Sequence, residues 1–171
     1  MATLSIQQFL SADWGTTRFR LRLVAFPSLT TLTEVNTDSG AATLNRPDPA
    51  ERARAFESVF VDSAARLHAQ APFPGEKTPA IVSGMASSSV GWREVPYAQL
   101  PFPLDGDGAA METFRVSVAG AGPVRVHLVA GVAGAAEMMR GEETQLIGLH
   151  AAGWMEGMIE GGWVVLPGTH S

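Results

Sequence analysis

The chain has 171 residues, 46% apolar and 17% charged, with a formal net charge of −5, which suits one globular domain with a sizeable core and the start of a second, and excludes a disordered or fibrous chain. An acidic chain with one lysine (Lys77) and eleven arginines argues against general nucleic-acid binding, and the lack of cysteine excludes disulfides, zinc thiolates and thiol nucleophiles. Met1 to Gln8 has no basic region leading into an apolar core, and the most apolar stretch, Val124 to Ala136, carries Arg125 and His127 and is too short for a bilayer, so a soluble, cytoplasmic protein without signal peptide or membrane contact is expected.

In chain order, Phe9 to Ala12 reads as a short buried strand that runs into Asp13-Trp14-Gly15-Thr16-Thr17, a sequence with turn chemistry. Arg18 to Leu23 alternates strictly, with Phe19, Leu21 and Leu23 on one face and three arginines on the other, and predicts a half-exposed strand paired back on the first. Leu29 to Val35 is a third strand. Asp48-Pro49-Ala50-Glu51 is a helix start, with a capping aspartate, proline at the first helical position and Glu51 to complete a capping box. That helix is predicted to run to about Gln70, with Phe56, Val59, Phe60, Ala64 and Leu67 on one stripe. Pro72, Pro74 and Gly75 end it, and Ala80 to Val82 is a short buried strand feeding Ser83-Gly84-Met85.

Ser87 to Asp107 is rich in Ser, Gly and Pro and reads as a long loop, a kind that is usually functional or disordered. Phe114 to Val118 and Val124 to Val129 flank Gly120-Ala121-Gly122-Pro123 as a hairpin. Glu142 to Ala152 is helical, and Trp163 to Leu166 is again a buried strand. The order predicts an α/β or α+β fold with a mixed sheet.

Four patterns can carry chemistry. In the first, Gly15 lets backbone approach a ligand, Thr16 and Thr17 offer amides and hydroxyls to phosphate oxygens, and Asp13 can hold a hydrated Mg²⁺; an unliganded hairpin turn is the alternative. In the second, the apolar run before Gly168-Thr169 repeats the strand before Gly15-Thr16 at a separation of 153 positions, which suits two facing loops around a nucleotide, although Leu166 and Pro167 stand where an aspartate is not repeated. In the third, Arg140-Gly141-Glu142-Glu143-Thr144-Gln145 offers a general base in Glu142 or Glu143 and an anion partner in Arg140; acidic residues also favour a helix start through its dipole. In the fourth, Ser83-Gly84-Met85 and the loop holding Trp92, Arg93, Glu94 and Tyr97 can stack on and hydrogen-bond a polar ligand, or tuck their aromatics into the core. Gly75-Glu76-Lys77-Thr78 is no P-loop, because Glu76 interrupts the Gly-Lys contact and prolines precede it, and His68, His127 and His150 have no ligand spacing.

Asp13-Trp14-Gly15-Thr16-Thr17-Arg18 resembles the first phosphate loop of the actin, hexokinase and Hsp70 ATPase superfamily. Gly84-Met85 with Val90-Gly91-Trp92, Pro96-Tyr97, the block Met139 to Gly148 and Pro167-Gly168-Thr169-His170 resemble the 2-dehydro-3-deoxygalactonokinase family, from about Leu10 to Ser171. The resemblance implies a ribonuclease-H-like, actin-like domain over residues 1–160, the start of a second similar domain over 161–171, and ATP and a sugar acid bound between them. It also implies transfer of phosphate from ATP to the 6-position of 2-dehydro-3-deoxy-D-galactonate in galactonate breakdown. On that reading Asp13 orients Mg²⁺; Gly15, Thr16 and Thr17 face Gly168 and Thr169 across the phosphates; Glu142 or Glu143 is the base. Gly84, Met85, Trp92, Arg93, Glu94, Tyr97 and Arg140 lie on the substrate side. A chain ending within the second loop is expected to lack activity by itself and to associate through the open edge of the Trp163–Leu166 strand. Another kinase of the superfamily, or a binding domain with this fold, are the alternatives.

Overall fold

The computed structural model describes residues 6–135, 137–155 and 164–166. Six strands form one mixed sheet in the order β3-β2-β1-β4-β7-β6. Strands β1 (Gln8–Trp14), β2 (Phe19–Ala25) and β3 (Thr31–Thr37) make an antiparallel meander. After a short helix, α1 (Ala41–Leu44), the long helix α2 (Pro49–Gln70) crosses over to β4 (Ala80–Gly84), which pairs parallel with β1. The hairpin of β6 (Met111–Val118) and β7 (Gly122–Val129) adds on the far side, β7 lying parallel to β4. A second, three-stranded sheet holds β5 (Ala98–Gln99), β8 (Val132–Ala133) and β9 (Met138–Met139), and α3 (Glu142–Ala151) follows it. This is the mixed α/β architecture predicted, and no helix of the described residues is long and apolar enough to cross a membrane.

The core lies between α2 and one face of the large sheet. Asp48 caps α2, accepting a hydrogen bond from the Glu51 amide at 2.8 Å, and Phe56, Phe60, Ala64 and Leu67 bury the predicted stripe. Strand alternation supplies the other wall: Leu10, Ala12 and Trp14 from β1, Phe19, Leu21 and Leu23 from β2, and Val124, Val126 and Leu128 from β7 are all buried.

An aromatic cluster occupies the middle of this interface. The Trp14 ring lies 4.0 Å from Phe19, 4.7 Å from Phe56 and 5.9 Å from Trp92, between centroids. Trp92 packs in turn on Phe60 at 5.4 Å and Phe114 at 4.9 Å. At 3% exposure Trp92 is a core residue, which corrects its expected place on the substrate side: the loop tucks its indole inward because apolar area is better buried than stacked in water.

Other expectations shift at their edges. The long loop is entered through a 3-10 turn at Met85–Ser87 and interrupted by β5. The helix α1 and the strands β8 and β9 carry no periodic signal, being two to four residues long. Residues 164–166, expected within a strand, lie outside any helix or strand, and Trp163 lies outside the described residues.

The core location of Trp92 yields a stability test. Trp92→Ala is expected to cost about 3–5 kcal/mol in urea unfolding. Trp92→Phe is expected to cost much less, because the Trp92 indole N–H has no acceptor among the described residues and its removal leaves nothing unsatisfied.

Candidate functional site

Three of the four sequence patterns meet in one place. Parallel register sets Asp13 beside Ser83 and Trp14 beside Gly84, so β1 and β4 end at the same level. Above those ends lies a cavity of about 220 Å³. It is lined by Asp13, Trp14, Gly15 and Thr16 at the end of β1, by Gly84 and Met85 at the end of β4, and by Arg140, Gly141, Glu142 and Gln145 around the start of α3.

Two glycines make this closeness possible. Gly84 has φ +88°, and a Cβ there would stand 2.5 Å from the Trp14 carbonyl oxygen. Gly141 has φ +107°, and a Cβ there would stand 3.3 Å from the Gly84 Cα. The backbone before α3 is thus laid almost directly on the end of β4, in a conformation side-chain-bearing residues rarely adopt.

The Gly15–Thr17 loop is pinned from outside the cavity. The amides of Ala41, Ala42 and Gly40 donate to the carbonyls of Gly15 (3.0 Å), Thr16 (2.9 Å) and Thr17 (3.1 Å). These peptides are trans, so the following N–H groups of Thr16, Thr17 and Arg18 point the opposite way, away from α1. The Gly15 amide itself is committed to the Arg18 carbonyl at 2.9 Å. The Trp14 indole N–H donates to the Ser39 carbonyl at 3.0 Å and fixes the segment before α1 against the loop.

The two adjacent glutamates have different surroundings. Glu142 lines the cavity, with one oxygen accepting from the Arg140 amide at 2.8 Å. Glu143 is 3% exposed and accepts from the Gly141 amide at 2.7 Å and the Thr144 hydroxyl at 3.2 Å. Burial pushes the Glu143 carboxyl above the ordinary glutamate range, and those hydrogen bonds oppose the shift. Both glutamates thus accept from backbone amides just before α3, while the Glu142 carboxylate also reaches the cavity.

Of the remaining candidates, Thr17 is exposed beside the loop and Tyr97 lies beneath Arg140, whose guanidinium carbon is 4.1 Å from the ring centroid. Arg93 and Glu94 are exposed and outside the cavity lining; Arg93 pairs with Glu112 at 2.6 Å over the Phe114 ring. Gly168 and Thr169 lie outside the described residues. Sequence reasoning passed over Gln145, although its position three residues after Glu142 on α3 places both on one helical face. It also passed over Ser87, for which no local signal exists. Among the described residues no three His, Cys, Asp or Glu side chains group to hold a metal.

Residues 13–171 match the family model described as 2-keto-3-deoxy-galactonokinase. The 2-dehydro-3-deoxygalactonokinase of Escherichia coli (strain K12) is 27% identical over 167 residues, covering 95% of this chain and 47% of that protein. A 2-dehydro-3-deoxygalactonokinase candidate from Rhizobium meliloti (strain 1021) is 28% identical with the same coverage. The chain thus spans about half the length of the curated relatives it matches. A crystal structure of a candidate of the same enzyme class from Sinorhizobium meliloti superposes on 84% of this chain and 42% of its own, with TM-score 0.61 and 25% identity.

Buried Glu143 makes stability depend on pH. Its raised folded-state pKa means that its contribution is full below the free-glutamate value of 4.5 and is lost as pH rises through the folded value. Glu143→Gln keeps an acceptor without the charge. It is expected to match the parent near pH 4.5 and to be the more stable of the two at pH 7.5, by urea unfolding. An equal difference at both pH values would count against a strained carboxylate.

Proposed function

The chain belongs to the 2-keto-3-deoxy-galactonokinase family, and on that premise we propose that it forms the sugar-acid side of a kinase acting on 2-dehydro-3-deoxy-D-galactonate. The product is the 6-phosphate, in galactonate breakdown, with ATP as co-substrate. We read residues 1–160 as a domain of the ribonuclease-H-like, actin-like type and 161–171 as the start of a second. The strand order, with a meander, a helical crossover and a parallel return beside β1, supports that reading. The half-length match to the relatives supports the second domain.

One observation carries the proposal: Asp13 to Thr16, Gly84-Met85 and Arg140 to Glu142 converge on a single cavity although they are up to 129 positions apart (142 − 13). In the reaction the 6-hydroxyl oxygen of the sugar acid attacks the γ-phosphorus of ATP. An O–P bond forms, the bond to the ADP oxygen breaks, and the hydroxyl proton passes to a carboxylate. Glu142 is our choice of base, because it faces the cavity while Glu143 is turned into hydrogen bonds at the start of α3. The Thr16 and Thr17 amides, turned away from α1, suit phosphate oxygens, and Gly168 and Thr169 would face them. Gly84, Met85 and Arg140 hold the sugar acid.

A single exposed carboxylate at a strand end fits a hydrated Mg²⁺ that is held largely by nucleotide phosphates, and Asp13 is that residue. When bound, the ion neutralises charge on the phosphates. The rest of catalysis is positioning by the chain.

Activity checks the reading directly. The 171-residue chain alone is expected to bind 2-dehydro-3-deoxygalactonate, with NMR shifts at Gly84, Arg140 and Glu142, and to release no ADP when ATP and Mg²⁺ are added. Sugar-acid-dependent ADP release by the chain alone would remove the two-loop layout. In an active chimaera joining residues 1–171 to the second half of the Escherichia coli relative, Glu142→Gln is expected to cut turnover about a hundredfold or more with little change in sugar-acid affinity. Normal turnover by both Glu142→Gln and Glu143→Gln would reduce the pair to helix-start chemistry. Asp13→Asn is expected to keep the fold and lose most transfer, and equal rates on a panel of other sugar acids would point to a different kinase substrate.

A further inference from the structure

Arg140 is held by residues far from it in sequence. Its Nη1 donates to the Ser87 hydroxyl at 2.7 Å, across 53 positions. Ser87 is fully buried, and its own hydroxyl proton goes to the Gly84 carbonyl at 3.3 Å, which leaves a lone pair for the arginine. The guanidinium carbon lies over the Tyr97 ring, 4.1 Å from its centroid.

The Tyr97 ring has a seat of its own. A Cβ on Gly131 would fall 2.8 Å from Tyr97 Cε1, 3.0 Å from Cδ1 and 2.4 Å from the Met139 carbonyl oxygen. The ring therefore rests on bare backbone. The Ala98 amide, donating to the Gly131 carbonyl at 2.9 Å, fixes the register of that contact. The small sheet of β5, β8 and β9 accordingly brings together Tyr97, Gly131 and the strand that leads into Arg140.

None of this neutralises the cation. Among the described residues no carboxylate forms an ion pair with the Arg140 guanidinium. Glu142, the nearest in sequence on the cavity wall, accepts instead from the Arg140 backbone amide. A guanidinium has five N–H donors, Ser87 takes one, and a ring face takes none. The result is a half-buried cation on the wall of the cavity that, among the described residues, has no ion-pair partner and hydrogen-bonds through its side chain to Ser87 alone.

We infer that Arg140 binds the carboxylate of the sugar acid, and that Ser87 and Tyr97 are positioning residues which aim its guanidinium into the cavity. This rests on the reading of the cavity as the sugar-acid site. A planar fork matches a carboxylate with two parallel hydrogen bonds, which a lysine in the same place would not give. It distinguishes a sugar acid from a neutral sugar of the same shape.

Calorimetry on the 171-residue chain tests this, with 2-dehydro-3-deoxygalactonate and its neutral C1 amide as the two probes. The unaltered chain is expected to prefer the acid, and Arg140→Gln to weaken acid binding about tenfold to a hundredfold and erase the preference. Tyr97→Leu is expected to weaken the acid about fivefold while leaving the amide unchanged, and Tyr97→Phe to restore most of the loss, because the stack uses the ring face. Ser87→Ala is expected to narrow the preference in the same direction. Preference for the acid that survives Arg140→Gln overturns the inference, as does a Tyr97→Leu effect equal on acid and amide, which marks a purely structural ring. If Arg140→Gln weakens ATP and leaves acid binding intact, the arginine serves a phosphate and the inference fails. Absence of acid binding by the unaltered, folded chain removes the sugar-acid reading of the cavity itself.

Discussion

The structure depends on the parallel pairing of β1 with β4 at the point where Trp14 stands beside Gly84. A parallel pair requires a crossover, and α2 supplies it while burying its apolar stripe on the sheet. Trp14 points inward from the end of β1 into the aromatic cluster, so the strand end is held by the core rather than by a loop. Asp13, one residue earlier, faces the other way by the alternation of the strand. The same backbone position that anchors the fold therefore presents a carboxylate outside it.

From that pairing the cavity follows by exclusion of side chains. Gly84 must lack a Cβ because the Trp14 carbonyl already fills the space, and Gly141 must lack one because α3 begins on top of Gly84. Gly40 has the same constraint against Thr17, with a Cβ there standing 2.2 Å from its carbonyl carbon. Three glycines distant in sequence thus allow four backbone segments to touch, those at Trp14–Thr17, Gly40, Gly84 and Gly141. Glu143 shows what closure costs: its carboxyl is buried and held back toward neutrality, and backbone amides limit the penalty. Its neighbour Glu142 remains at the cavity.

The solved structure at 25% identity superposes on 84% of this chain, and the curated relatives at 27–28% identity match 95% of it in sequence. The geometry of this frame is set by core packing and glycine contacts. Such constraints tolerate exchange among apolar residues but not the addition of a Cβ where backbones meet. The cavity is lined by three segments, and each was legible as a short motif because tight turns at strand ends and helix starts need unusual residues: Gly-Thr, Gly-Met and Arg-Gly-Glu-Glu.

By itself the sequence determined the elements whose signal is local. The α2 cap and stripe, the alternation of β2, the hairpin of β6 and β7 and the start of α3 at Glu142 are all written in spacings of two to four residues. Family motifs named the loops. The tertiary structure alone decided which candidates share a site. Trp92 went to the core because its neighbours Trp14, Phe60 and Phe114 come from three separate elements. Tyr97 went beneath Arg140 because Gly131, just before the two-residue strand β8, gave its ring a seat. Ser87 became the partner of Arg140 across 53 positions, and Glu142 rather than Glu143 reached the cavity. Each of these outcomes depends on which backbones can approach closely, and that is fixed by packing between segments distant in the chain, where local periodicity carries no information.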